Sequence, residues 1–115
     1  MAVKASLRNY RISASKARLV VDLIRGKGVE QALNILDQSN KGFARPLAKL
    51  LRSAVANAEA QNDSKRAGID VDNLVVSQIA VDEGASMWRI RPRAQGRASH
   101  IQKRTSHVSL ELAEK

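Results

Sequence analysis

Apolar residues recur at helical spacing through the first half of the chain and alternate with polar residues near its end. Four apolar residues spaced three or four apart predict a helix over about residues 14–25: Ala17, Val20, Val21 and Ile24. Ser13 is expected to be its N-cap, because a serine hydroxyl accepts a free N–H of the first turn. Gly26-Lys27-Gly28 then ends the helix, since glycine tolerates the left-handed backbone of helix ends.

Two more apolar stripes predict two more helices. The first covers about residues 29–38 through Val29, Ala32, Leu33 and Leu36. The second covers about residues 40–61 through Leu47, Leu50, Leu51, Ala54, Val55 and Ala58. Pro46 lies early in the second and either bends it or marks its true first turn. The polar residues 62–68 are expected to form a loop.

Alternating segments predict three strands. Residues 2–12 alternate loosely, residues 71–81 do so through Val75, Ile79 and Val81, and a final strand holds Val108, Leu110 and Leu112. The last two should pair antiparallel because the chain between them must return. The sequence therefore predicts an α+β fold in one domain, residues 1–115, with three helices packed on a three-stranded antiparallel sheet.

The connection over residues 82–107 is far longer than an ordinary hairpin loop. We interpret it as a long β-hairpin arm formed by outward continuation of both strands. Its tip should lie within Pro92–Gly96, where turn-forming residues cluster. An isolated two-stranded ribbon is marginally stable in water. We therefore expect the arm to be mobile when free and ordered when bound.

Charge is unevenly distributed along this basic chain. The net charge is +9, with +6 in residues 1–28, −2 in residues 29–83, +6 in residues 84–110 and −1 in residues 111–115. Two basic regions around a near-neutral middle are typical of a footprint on a polyanion.

The arm holds the more informative of the two basic regions. No Asp or Glu occurs from Gly84 to Leu110, and six cations do: Arg89, Arg91, Arg93, Arg97, Lys103 and Arg104. Arg89, Arg91 and Arg93 alternate, which places them on one face of a strand. Guanidinium groups bridge phosphate oxygens and stack on bases. A merely solvated face normally mixes both signs of charge, so the pattern favours nucleic acid as the partner.

Other residues are weaker candidates for contact with nucleic acid. Trp88 either stacks on a nucleotide base or packs near the root of the arm. His100 and His107 make polar contacts with RNA or structural hydrogen bonds. A second contact surface is expected from the basic residues of the N-terminal region, although solubility explains part of their number: Arg8, Arg11, Lys16, Arg18, Arg25 and Lys27.

Several function classes lack support. There is no cysteine and there are only two histidines, so no metal site is expected. Asp82 and Glu83 precede a glycine at the root of the arm and are better interpreted as charge balance than as an acid–base pair. We predict no catalytic residues and no cofactor. No apolar signal stretch or membrane-length run is present, so a cytoplasmic protein with no membrane contact is expected.

The motifs of the chain resemble the family of the bacterial-type ribosomal large-subunit protein number twenty-two. The matching arm motifs are Asp82-Glu83-Gly84-Ala85-Ser86-Met87, Arg89-Ile90, Pro92-Arg93-Ala94, Gly96-Arg97-Ala98 and Lys103-Arg104-Thr105-Ser106-His107-Val108. Upstream, the matching motifs are Arg18-Leu19-Val20, Asp22-Leu23-Ile24-Arg25-Gly26-Lys27 and Ala54-Val55-Ala56-Asn57-Ala58-Glu59. The resemblance covers nearly the whole chain. Trp88 departs from it, since the family usually has a polar or basic residue there.

The resemblance implies a structural role in the large ribosomal subunit. Members bind large-subunit rRNA early in assembly, contact neighbouring ribosomal proteins, and line the nascent-peptide exit tunnel with the hairpin. By this resemblance, the residues facing the tunnel and the passing nascent peptide would be Arg93, Ala94, Gln95, Gly96, Arg97 and Ala98.

Two other classes of protein compete with this interpretation. A DNA-binding architectural protein would use the hairpin in a groove. Such proteins are usually dimers, and the sequence offers no spare apolar face, so a homo-oligomer is not expected. A nucleic-acid enzyme would need a cluster of carboxylates or a metal site, which the sequence lacks.

Overall fold

The computed structural model describes residues 3–65, 68, 71–92 and 94–114. Five strands and three helices follow in the order β1 (Val3–Tyr10), α1 (Ala14–Ile24), α2 (Val29–Gln38), α3 (Ala44–Lys65), β2 (Leu74–Glu83), β3 (Met87–Pro92), β4 (Ala98–Lys103) and β5 (Ser106–Glu114). A short 3-10 turn, Val71–Asn73, precedes β2 where the sequence predicted strand. The predicted α+β fold of three helices and a three-stranded antiparallel sheet is confirmed.

The sheet has the strand order β1-β5-β2, with β5 in the centre. One face is covered by helices, since α1 packs against β2, α3 against β1, and α2 against α3. The buried side chains of β5 alternate through Ser106, Val108, Leu110 and Leu112. The predicted helix stripes are confirmed, with Val29, Leu33 and Val55 only partly buried at the margin of the core.

The predicted helix ends are only partly correct. Ser13 is the N-cap of α1, as predicted, and its carbonyl accepts a hydrogen bond from the N–H of Ala17 at 3.1 Å. Its hydroxyl makes no capping hydrogen bond, however, and its Oγ lies 3.4 Å from that of Ser15. The third helix begins at Ala44 rather than at residue 40, so Pro46 lies in its first turn, where a missing N–H costs nothing. It continues to Lys65, through positions predicted as loop. Residues 66 and 67 of that predicted loop lie outside the described residues.

Simple alternation would place Val75 on the same face of β2 as Ile79 and Val81. A β-bulge in β2 explains why it lies on the other face. The pairing register with β5 shifts between Val76 and Gln78, so β2 has one extra residue there. An extra residue reverses which positions face the core. Leu74 and Val76 are therefore buried before the bulge and Ile79 after it, while Val75 is only partly buried.

A second bulge, near the end of β1, determines where Tyr10 points. Leu7 pairs with Val108 and Tyr10 with Ser106, so β1 advances three residues while β5 advances two. Asn9 within this bulge has a φ of 57°, a left-handed conformation that asparagine tolerates better than most residues. The extra residue keeps Tyr10 on the helix side of the sheet, where its ring lies 5.4 Å from that of Phe43.

Replacing Asn9 with valine is expected to destabilise the domain. A β-branched residue in the left-handed region costs about 1–2 kcal/mol, and the exposed side chain of Asn9 offers no compensating burial. Chemical denaturation should show the loss in unfolding free energy. Asn9→Gly is the control, because glycine accepts positive φ; an equal loss in both variants would contradict the explanation.

The arm is a separate two-stranded sheet formed by β3 and β4. Its strands do not continue β2 and β5 without interruption, as the sequence had suggested. The chain leaves strand conformation at Gly84–Ser86 and at Arg104–Thr105. The projecting arm makes the molecule 65 Å long but only 28 Å and 16 Å across. The radius of gyration is 17.5 Å, well above the roughly 13 Å of a compact domain of this size.

Candidate nucleic-acid interface

The ladder of the arm gives it two chemically different faces. Successive residues of β3 alternate between the faces, and each pairs with a residue of β4 on the same side. One face carries Met87, Arg89 and Arg91 opposite Lys103, Ile101 and Ser99. The other carries Trp88, Ile90 and Pro92 opposite Gln102, His100 and Ala98. We call these the basic face and the apolar face of the arm.

The basic face places cations along one side of the arm. Arg89 and Arg91 lie on it together and are both exposed, as is Lys103. The guanidinium of Arg89 donates to the carbonyl of Trp88 at 3.2 Å and lies 3.8 Å from the sulfur of Met87. These contacts satisfy few of its five donors, so Arg89 retains the capacity to bind phosphate. Arg93, the third arginine of the alternating set, lies outside the described residues.

The apolar face exposes two large side chains to solvent. Trp88 is 62% exposed and Ile90 is 67% exposed. The indole of Trp88 is therefore not packed at the base of the arm, which was the competing interpretation. His100 also lies on this face and is exposed. An exposed flat aromatic surface suits stacking on an unpaired base.

The tip of the arm is a tight turn at Ala94–Gly96. Gln95 and Gly96 have φ values of 62° and 71°, and the N–H of Arg97 donates to the carbonyl of Ala94 at 3.5 Å. Glycine suits this turn because it accepts positive φ without strain. The described tip residues are all exposed: Ala94, Gln95, Gly96, Arg97 and Ala98.

Hydrogen bonds at the root tie the arm to the domain. The N–H of Gly84 donates to the carbonyl of Thr105 at 2.9 Å, and the Thr105 hydroxyl donates to the carbonyl of Ala85 at 2.6 Å. The buried hydroxyl of Ser106 donates to the carbonyl of Ile12 at 2.7 Å. Arg104 is exposed beside this root.

The two histidines lie in different environments. The Nδ1 atom of half-buried His107 accepts a hydrogen bond from the N–H of Asn9 at 3.0 Å, so this ring supports the bulge in β1. Of the two roles predicted for His107, contact with RNA or a structural hydrogen bond, the structure shows the second. His100 is exposed on the arm and has the freedom to contact a partner.

Two predicted binding residues, Arg18 in α1 and Arg25 directly after it, also protect the edge of the sheet. Arg18 donates to the carbonyl of Val81 at 2.9 Å, and Arg25 donates to that of Ile79 at 2.7 Å. Arg25 also forms an ion pair with Asp22 at 3.2 Å. Because β2 is an edge strand, its unpaired carbonyls are a template for unwanted pairing. Both arginines cover it and keep further N–H donors for other partners.

Four exposed cations of the middle region were not predicted as contact residues. Arg8, Arg11, Lys16 and Lys27 were predicted and are exposed. Lys41, Arg45, Lys49 and Arg52 are exposed as well, but the average charge of −2 over residues 29–83 concealed them. Residues 41–52 contain these four cations and no acidic residue. A shorter charge window along the sequence would have found this cluster.

The described part of the chain shows no grouping of three or more histidines, cysteines and carboxylates that could hold a metal ion. Among the described helices, none is both long and apolar enough to span a bilayer.

A comparison with protein families gives a match that extends over almost the whole chain. The model of the family described as ribosomal protein L22p/L17e matches residues 5–113. The matched range includes nearly all of the sheet, the three helices and the complete arm. The chain belongs to the ribosomal protein L22p/L17e family and is a structural protein of the large ribosomal subunit.

Proposed function

We propose that the protein binds large-subunit rRNA, supports early subunit assembly, and lines the nascent-peptide exit tunnel with its hairpin. It acts as one domain, residues 1–115, with residues 82–107 as the arm. The observation that carries the proposal is the arm itself. It has no core of its own, and its two faces offer arginines on one side and an exposed indole on the other.

RNA packed on both sides stabilises the arm by supplying counter-charges for one face and a cover for the other. Phosphates offset the repulsion among the cations of the basic face, and unpaired bases cover the apolar face. Proteins read folded RNA mainly through its shape, its phosphates and its unstacked bases. The exposed cations of the globular part extend the contact, so that one protein bridges separate segments of rRNA and stabilises their arrangement during assembly.

The tip is the part of the arm we assign to the tunnel wall. Its small residues, Gly96 and Ala98, lie in and beside an exposed turn and leave space for a passing nascent peptide. Neighbouring large-subunit proteins complete the surroundings. The protein works as a single copy within the cytoplasmic ribosome.

Filter binding across a salt series tests the proposal. Wild-type protein is expected to bind large-subunit rRNA at least about tenfold more tightly than duplex DNA of equal length, because shape and unpaired bases add to the phosphate contacts. The preference should persist at high salt. Equal affinities that vanish together with added salt would indicate a nonspecific polycation, and a preference for the duplex would favour the architectural DNA-binding alternative.

A further inference from the structure

A groove on the globular part lies between the end of β1, helix α1 and the turn before α3. Its volume is about 610 Å³, within the range of roughly 300–1,000 Å³ of small-molecule sites. Apolar side chains line its interior, and three cations stand among its lining residues: Tyr10, Ile12, Leu19, Val20 and Phe43, with Arg11, Lys16 and Lys41.

The charge of this groove is entirely of one sign. No Asp or Glu is among the lining residues. Arg11, Lys16 and Lys41 are exposed and come from three different parts of the chain. No ion pair neutralises any of them within the described residues. Three uncompensated cations around one concave site attract an anion.

The interior of the groove offers a supported aromatic ring. The bulge at Asn9 turns Tyr10 to the helix side, and buried Phe43 packs against its ring at an interplanar angle of 55°. Leu19 lines the groove and is 61% exposed, so its side chain is accessible to a group that enters. A planar apolar group entering here would meet a ring held in position by Phe43.

We propose that this groove binds a single unstacked nucleotide of the RNA. The base would contact Tyr10 and Leu19, while Arg11, Lys16 and Lys41 hold its flanking phosphates. This inference rests on the proposed rRNA-binding function and adds a specific subsite to it. A nucleotide joins a flat apolar base to an anionic phosphate, and the groove has the matching arrangement of apolar interior and cationic surroundings.

An acidic segment of a neighbouring protein is the competing occupant. The extent of the groove favours the nucleotide. Leu23 lies one turn beyond Leu19 on α1 and is 45% exposed, yet it is not among the lining residues. The concave site therefore spans only about one turn of α1, which suits a base better than a docked helix, whose anchors spread over about two turns.

The matched variants Leu19→Glu and Leu23→Glu test the subsite. Both place the same charge on an exposed position of α1, one turn apart, so both should fold normally. Leu19→Glu is expected to reduce affinity for a transcript of large-subunit rRNA about tenfold, because it disturbs the stacking of one base. Leu23→Glu should reduce it less than about threefold, through net charge alone. Filter binding measures both.

Chemical probing of the same transcript gives a second readout. One unpaired nucleotide should be protected by the wild type and by Leu23→Glu, and should become reactive with Leu19→Glu. Equal affinity loss in both variants, with an unchanged footprint, overturns the nucleotide subsite and leaves rRNA binding intact. Wild-type affinity for the transcript in Leu19→Glu also overturns it and points to the protein neighbour. Failure of the wild type to prefer rRNA over duplex DNA would instead remove the proposed function.

Discussion

Replacing residues 87–103 with a short Gly-Ser linker is expected to reduce affinity for large-subunit rRNA by about a hundredfold at moderate salt. The deletion removes five cations of the arm: Arg89, Arg91, Arg93, Arg97 and Lys103. Each lost phosphate contact lowers the slope of log affinity against log salt by about 0.7–0.9, so the slope should fall by roughly 4. Filter binding over a salt series measures both quantities.

The globular domain should remain folded without the arm. The described residues between 87 and 103 contribute no side chain to the hydrophobic core, and the root hydrogen bond from Gly84 to Thr105 is retained. The melting temperature should therefore change by less than about 4 °C, which corresponds to less than 1 kcal/mol in a domain of this size. A large loss of thermal stability would contradict the view that the arm is added to an independent core.

A variant that removes two charges but keeps the arm separates the contribution of charge from that of shape. The double variant Arg89→Gln, Arg91→Gln keeps the length of the arm and its apolar face. It should lose about two phosphate contacts and lower the salt slope by roughly 1.5, with the rest of the arm's contribution retained. Unchanged affinity after deletion of the whole arm would assign binding to the globular cations instead.

The core could be predicted from the sequence because helical periodicity is local. Each stripe of α1, α2 and α3 is visible within about three turns of chain, without knowledge of any partner. The absence of acidic residues in the arm is also a local signal. It indicated the chemistry of the arm before the pairing of β3 with β4 was known, and the long connection over residues 82–107 indicated its length.

Features that depend on a partner strand could not be predicted. The bulge at Asn9 exists because β1 advances one residue more than β5, and nothing in the sequence of β1 alone requires it. The roles of Arg18 and Arg25 depend on β2 becoming an edge strand beside α1. Without the bulge, Tyr10 would face away from α1 and α3. The groove that it lines was for this reason not visible in the sequence.

Replacing Gly84 with alanine is expected to lower the unfolding free energy by about 1–3 kcal/mol, the usual cost of overpacking. A Cβ atom at this position would lie 2.6 Å from the Thr105 hydroxyl oxygen and 3.1 Å from two ring atoms of His107. Neither neighbour moves away freely, because the hydroxyl donates to Ala85 and the ring accepts from Asn9. Gly42→Ala is the control, since its Cβ would meet nothing within 4 Å.

A double-mutant cycle with Thr105→Ala identifies the cause of that loss. Removing the hydroxyl takes away the closest atom, so Gly84→Ala should cost less in the Thr105→Ala background than in the wild type, with a coupling of about 1 kcal/mol. Chemical denaturation of the four proteins provides the cycle. Strictly additive losses would exclude the clash. Because the Gly84–Thr105 hydrogen bond lies where β2 and β5 lead into the arm, Gly84→Ala should also weaken rRNA binding relative to the wild type, even where the variant remains fully folded.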